Sequence, residues 1–232
     1  MLKKIVLLFF LSVSVFSLSM CINVFSALSE PVTENYYQIS LPRTGQTAIY
    51  QAGDDGSYQK GAVWPSPRFI VQETTVTDRL TGLIWERAPI NASFDSVAAF
   101  SRINTLNAGK LGGYSDWRLP NVNELASLVN YGQANIGTWL NTQGFIGVQN
   151  NNYWSSSTVA GSSSNAWAVN LNYGQVHNLS TGTNYYVLAI RKNGGGAICL
   201  PKTGQTAIYQ PGDDGSYQKG AVWPSPRFND NG

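Results

Sequence analysis

The chain has 232 residues, only 12% of them charged, and a formal net charge of +2. Without Lys3 and Lys4, which precede an apolar run over 5–16, its basic residues equal the 13 acidic ones. Nothing in that balance points to nucleic acid or to an anionic membrane surface as a partner.

In chain order, the first 29 residues read as a secretory signal peptide. Ala27-Leu28-Ser29 offers small residues at the cleavage positions, so the mature chain is expected to start at Glu30 and to be exported to the cell surface or medium. The periplasm is an alternative. So are an uncleaved anchor and a lipid anchor on Cys21, although Met20 stands where lipidation wants a small residue. Cys199 is then the one remaining cysteine, expected as a free thiol or an intermolecular partner.

Residues 41–69 return as 200–228, with changes only at Arg43/Lys202 and Ala52/Pro211. The copies lie roughly 160 residues apart, a comfortable size for one domain. The chain therefore divides into an extended segment over 30–73, a domain over 74–192, and a Gly-rich junction with the start of a second unit over 193–232. The last part is expected either as a fragment of a longer tandem protein or as a tail packed on the first unit. Leu41-Pro42-Arg43-Thr44-Gly45 and its copy match the sortase pattern, but polar sequence follows both, so they read as turns. Gly53-Asp54-Asp55-Gly56 lacks the ligand spacing of a calcium loop and is expected as a solvated turn. Trp64-Pro65-Ser66-Pro67-Arg68-Phe69, extended by its prolines, is expected to strap across the domain surface.

Within the domain, 75–78 and 83–86 predict a hairpin around Thr81-Gly82. Ser93 is a candidate cap for a helix to about Asn107, with Phe94, Val97, Phe100, Ile103 and Leu106 as apolar positions. Pro120 biases Leu119 away from the helical region. Asn121 and Glu124 then have the spacing of a capping box for a second, short helix carrying Leu125, Leu128 and Val129. Strands are expected near 153–157, 166–173 and 185–191. Two helices followed by a loop-rich antiparallel sheet make the fold α+β.

Asp116-Trp117-Arg118-Leu119-Pro120-Asn121 and Glu124-Leu125 resemble the signature of the Legionella collagen-like adhesin C-terminal domain family. Val76-Thr77-Asp78, Thr81-Gly82-Leu83-Ile84-Trp85, Tyr153-Trp154-Ser155-Ser156 and Val187-Leu188-Ala189-Ile190-Arg191 match it in order. The resemblance implies a C-type-lectin-like arrangement in which the first and last strands meet. It also implies trimers, adhesion and binding to sulfated glycosaminoglycans. In that frame Trp85, Asp116, Trp117, Arg118, Pro120, Glu124, Trp154 and Trp167 are structural, with the four tryptophans in the core.

From Leu125 to Ile190 there is no Asp, Glu, Lys or Arg. That span holds His177 and a wealth of Asn, Ser, Tyr and Trp. Amides, hydroxyls and rings bind by stacking and neutral hydrogen bonds, a palette that antibody loops share and that suits sugars. Asn150, Asn151, Asn152, Asn170, Asn172, Tyr173 and Asn184 are the candidate contact residues. A polyanion site would have to use Arg79, Arg87, Arg102, Lys110 or Arg191 from elsewhere. One His and one Cys beyond carboxylates do not make a zinc site, and neither a catalytic triad nor a glycosidase carboxylate pair stands out. The expectation is therefore a non-enzymatic, exported, adhesin-like module without cofactor or metal, whose partner is an extracellular glycan or a host or surface protein. Two alternatives are a variable protein diversified at its Asn codons by a retroelement, and a structural stalk of tandem units.

Overall fold

The hairpin around Thr81-Gly82 is present. In the computed structural model, which describes residues 40–192 and 194–228, β2 (Thr75–Asp78) and β3 (Leu83–Glu86) pair antiparallel with Val76 opposite Trp85. Asp78 fixes their turn. Its fully buried carboxylate accepts from the Leu80 N–H at 3.0 Å and from Thr81 Oγ1 at 2.9 Å. Gly82 has φ +70°, and a Cβ there would collide with the backbone of 194–196; only glycine meets both conditions.

β1 (Phe69–Val71) and β7 (Ile190–Lys192) extend this hairpin to a sheet of order β1-β2-β3-β7. Trp85 thus faces Ile190 in the ladder, so the last strand pairs with the second strand of the hairpin, where the resemblance implied that the first and last strands meet. A second antiparallel sheet runs β4 (Asn152–Val159), β5 (Ser162–Asn170), β6 (Val176–Ser180). With α2 (Ser96–Ala108), α3 (Val122–Ala126) and α4 (Ile136–Thr142), these sheets make the predicted α+β fold.

Successive residues of a strand point to opposite faces, and β3 uses this to separate two cores. Trp85 joins Leu125, Leu128, Ile136, Leu140, Tyr153 and Leu188. Ile84 joins Ile103, Leu106, Trp117, Leu119 and Trp154 on the other side.

Several expectations need correction. The cap of α2 is Asp95, whose carboxylate accepts from the Ala98 N–H at 2.7 Å, and Val97 is exposed while Ala99, Ile103 and Leu106 are buried. The helix α4 was not anticipated, because its apolar side chains are interleaved with Gly137, Thr138 and Asn141, which dilute the helical pattern. Of the strand expected over 185–191 only β7 is regular; Tyr185 and Tyr186 make isolated bridges to Phe94 and Tyr153. β1 and β6 were missed. Cys199 is disulfide-bonded, so the expectation of a free thiol falls. The predicted signal peptide over 1–29 lies outside the described residues, among which no helix is long and apolar enough to cross a membrane.

The repeated segments fold alike. Each contains one helical turn, α1 (Asp55–Tyr58) and α5 (Asp214–Tyr217), where a plain solvated turn was expected. Asp54 and Asp213 cap these turns by accepting from Ser57 and Ser216 N–H at 2.9 Å. In each, a threonine hydroxyl bonds the next aspartate, Thr44 to Asp55 and Thr203 to Asp214.

Candidate functional site

The signature loop is a scaffold in which each polar group is engaged. Trp117 is buried, donates its indole N–H to the Leu111 carbonyl at 3.0 Å, and has its backbone held by the Asn107 side chain. Arg118 and Glu124 form a buried bidentate pair at 2.7 and 2.6 Å. The Asn121 capping box is complete, with Glu124 returning to the Asn121 N–H at 2.8 Å. Asp116 reaches Arg191 at 2.7 Å, and that guanidinium lies 3.7 Å from the Tyr114 ring. Pro120 is buried, and its carbonyl accepts from Ser156. Each of these contacts ties the loop to itself or to a neighbouring element.

The candidate contact residues fare differently. Six of them come together where the start of β4, the end of β5 and the start of α4 converge. Asn152 and Asn170 face each other across the ladder, and Asn170 Nδ2 donates to Asn152 Oδ1 at 2.8 Å. Asn170 Oδ1 also accepts from the Asn172 and Tyr173 N–H groups at 2.8 and 3.1 Å, which closes the turn. Asn172 accepts from Asn135. Asn150 bonds Thr138 twice, through its backbone N–H at 3.1 Å and its hydroxyl at 2.8 Å. Asn151 Oδ1 accepts from the Asn152 N–H at 2.7 Å. Asn184 is exposed but shares no hydrogen bond with this network among the described residues.

Beside the amides stand two exposed rings. Tyr173 is 64% exposed and Tyr131 56%. Tyr131 donates its hydroxyl to the Gly174 carbonyl at 3.2 Å, which seats it against the residue that follows Tyr173. Reading the uncharged span residue by residue missed Tyr131, Asn135 and Thr138. A signal was available: Asn130-Tyr131-Gly132-Gln133 and Asn172-Tyr173-Gly174-Gln175 are the same tetrapeptide. The side chains of Gln133 and Gln175 are exposed and have no internal partner among the described residues.

Charge is committed elsewhere. Arg102 binds Glu86 at 2.6 Å, and burial pushes the Glu86 carboxyl above its ordinary range. Arg79 and Arg87 donate to backbone carbonyls, and Arg191 holds Asp116. Of the five cations a polyanion site would use, Lys110 alone has no such bond among the described residues. Among those residues no cluster of His, Cys, Asp and Glu could hold a metal.

Two cavities, about 490 and 690 Å³, open along the seam between the domain and the second copy of the repeat. The larger is lined by Val122, Thr158, Trp167, Val176, Gln205 and Trp223. Trp167, expected in the core, is half-buried on this seam, because β5 turns it away from the buried Ala166 and Ala168. Trp85, Trp117 and Trp154 are fully buried, as expected.

No match was found among curated proteins. The family model for the Lcl C-terminal domain matches residues 74–191, from the start of the hairpin to β7, and the chain belongs to that family.

Proposed function

We propose that the chain is an adhesive binding module that takes a neutral saccharide on the surface formed by Tyr131, Tyr173, Asn150, Asn151, Gln133 and Gln175. The family is one of bacterial surface-protein modules, which suits an exported adhesin. One observation carries the reading: two exposed tyrosines, Tyr173 and a Tyr131 bonded to the carbonyl of the next residue, Gly174, accompany exposed amides, several of them already fixed by internal hydrogen bonds. Rigid rings give contact area at low entropic cost, and the apolar face of a sugar fits them while its hydroxyls meet amides. Preorganised donors and acceptors lose little freedom on binding.

The chemistry speaks against two relatives of this idea. A sulfated polymer needs clustered cations, and here four of the five candidates are already engaged. A diversified surface needs positions that vary freely, whereas Asn152 and Asn170 hold each other and Asn170 closes a turn.

A glycan array probed with the full chain at low and high salt tests the proposal. Retention of neutral saccharides at both salts is expected, since no formal charge lines the surface. Binding confined to sulfated glycans and lost at high salt would overturn it, as would no binding at all.

A further inference from the structure

The two copies of the repeated segment use different sides of themselves. The first copy meets the domain through Thr44, Trp64, Arg68 and Phe69. The Tyr131 N–H donates to the Thr44 carbonyl at 2.9 Å, and Trp64 packs on Trp139 with centroids 6.0 Å apart. Arg68 is buried between Asp78, at 3.0 and 2.8 Å, and the Ser127 carbonyl at 2.7 Å. The second copy bonds a different part of the domain through other residues. Its Gln205 Oε1 accepts from the Thr158 N–H at 2.6 Å, and the Tyr209 hydroxyl accepts from Gly161 N–H at 3.1 Å. Asp214 accepts from the Ser157 hydroxyl at 3.0 Å, and the Pro201 and Lys219 carbonyls accept from Asn123 and Asn121 at 3.0 and 3.1 Å. In first-copy numbering those contacts fall on Pro42, Gln46, Tyr50, Asp55 and Lys60. No residue hydrogen-bonded to the domain is common to the two sets, although Trp223, the counterpart of Trp64, lines the cavity on the second seam.

Each copy therefore keeps one side open. Tyr50 is 83% exposed where Tyr209 is 36%, and Phe228 is 80% exposed where Phe69 is 6%. The open side of the first copy is already in the docked conformation. Gln46 donates to the Ala48 carbonyl and to Asp54 as Gln205 does to the Ala207 carbonyl and Asp213, so the same oxygen is presented outward. The substitutions Arg43/Lys202 and Ala52/Pro211 change no side chain in either contact set.

We propose that residues 41–69 form a two-sided connector joining copies of this chain head to tail, with the Gln46/Tyr50/Asp55 side of one copy seating on the Asn123/Ser157/Thr158 acceptor of another. The inference is independent of what the tyrosine surface binds. Within one chain the acceptor is filled by 200–228, which the tether holds at high effective concentration. Releasing that segment opens the acceptor to the identical first copy of a neighbour. Such a contact joins two different surfaces and need not close, so it builds chains rather than dimers alone.

The test uses the full chain with Gln205→Ala, Tyr209→Ala and Asp214→Asn, which weaken the tethered occupant and leave the first copy intact. Sedimentation velocity is expected to show one species for the parent chain and a concentration-dependent series of oligomers for the triple variant. Adding Gln46→Ala and Tyr50→Ala is expected to return it to monomer. If the triple variant loses the near-ultraviolet signal of its packed tryptophans, the Gln205→Ala/Tyr209→Ala pair carries the same test. A released variant that stays monomeric overturns the proposal. So do oligomers that persist after Gln46 and Tyr50 are replaced.

Discussion

The signature loop and the tyrosine surface lie in one domain and are built on opposite principles. In the loop, charges are buried, paired and hydrogen-bonded: Arg118 with Glu124, and Asn121 capped in both directions. On the surface no side chain carries a formal charge, and amides hold one another while two rings face water. A buried ion pair is costly to break, since removing one partner strands the other. An exposed neutral network can lose a member with little effect on the fold. Stability and recognition are thus assigned to different chemistries, and substitutions should separate them.

The largest effects belong to the loop. Arg118→Ala should cost about 3–5 kcal/mol by leaving Glu124 charged and buried. Trp117→Ala should cost about 3–5 kcal/mol through the cavity it opens between α2 and β4. Urea denaturation measures both, and neither is expected to alter saccharide preference in the fraction that folds. If both cost under about 1 kcal/mol, the loop is not the scaffold described. Asn121→Ala is smaller, about 1 kcal/mol by the same measurement, because it removes the cap of α3 and a bond to the Lys219 carbonyl.

A pH effect comes next. Burial raises the Glu86 carboxyl above its ordinary range, so the folded chain holds this proton more tightly than the unfolded one. That contribution is complete below the ordinary carboxylate range and fades as pH rises through the raised value. Glu86→Gln should therefore match the parent chain at acid pH and gain stability on it toward neutrality. Melting curves across the acid range check the sign, and a variant that is less stable at neutrality than at acid pH relative to the parent contradicts it. Last in stability is Tyr173→Ala, expected to change unfolding free energy by no more than about 0.5 kcal/mol.

The same contrast explains what the sequence disclosed. Paired charges, a proline and a cap box act over a few residues, so the loop at 116–124 and its helix were legible in order. The hairpin was legible because Asp78, Thr81 and Gly82 encode its turn locally. Trp167 was misjudged, because its burial depends on which side of β5 the second repeat covers, a non-local fact. The candidate surface was legible in composition but not in membership. Asn184 shared the composition and stands outside the network, while Asn135 and Thr138 enter it only because α4 folds back onto 170–172. The repeat shows the limit most directly. Two nearly identical sequences fold alike, and one buries Phe69 while the other exposes Phe228.

The most direct test of the central claim pairs two readouts on one variant, Tyr131→Ala with Tyr173→Ala. The melting temperature and the affinity for the best saccharide retained by the array are measured side by side. A melting temperature within a few degrees of the parent chain is expected, with affinity weaker by about tenfold or more. Unchanged affinity at unchanged stability would contradict it and move the ligand away from this surface.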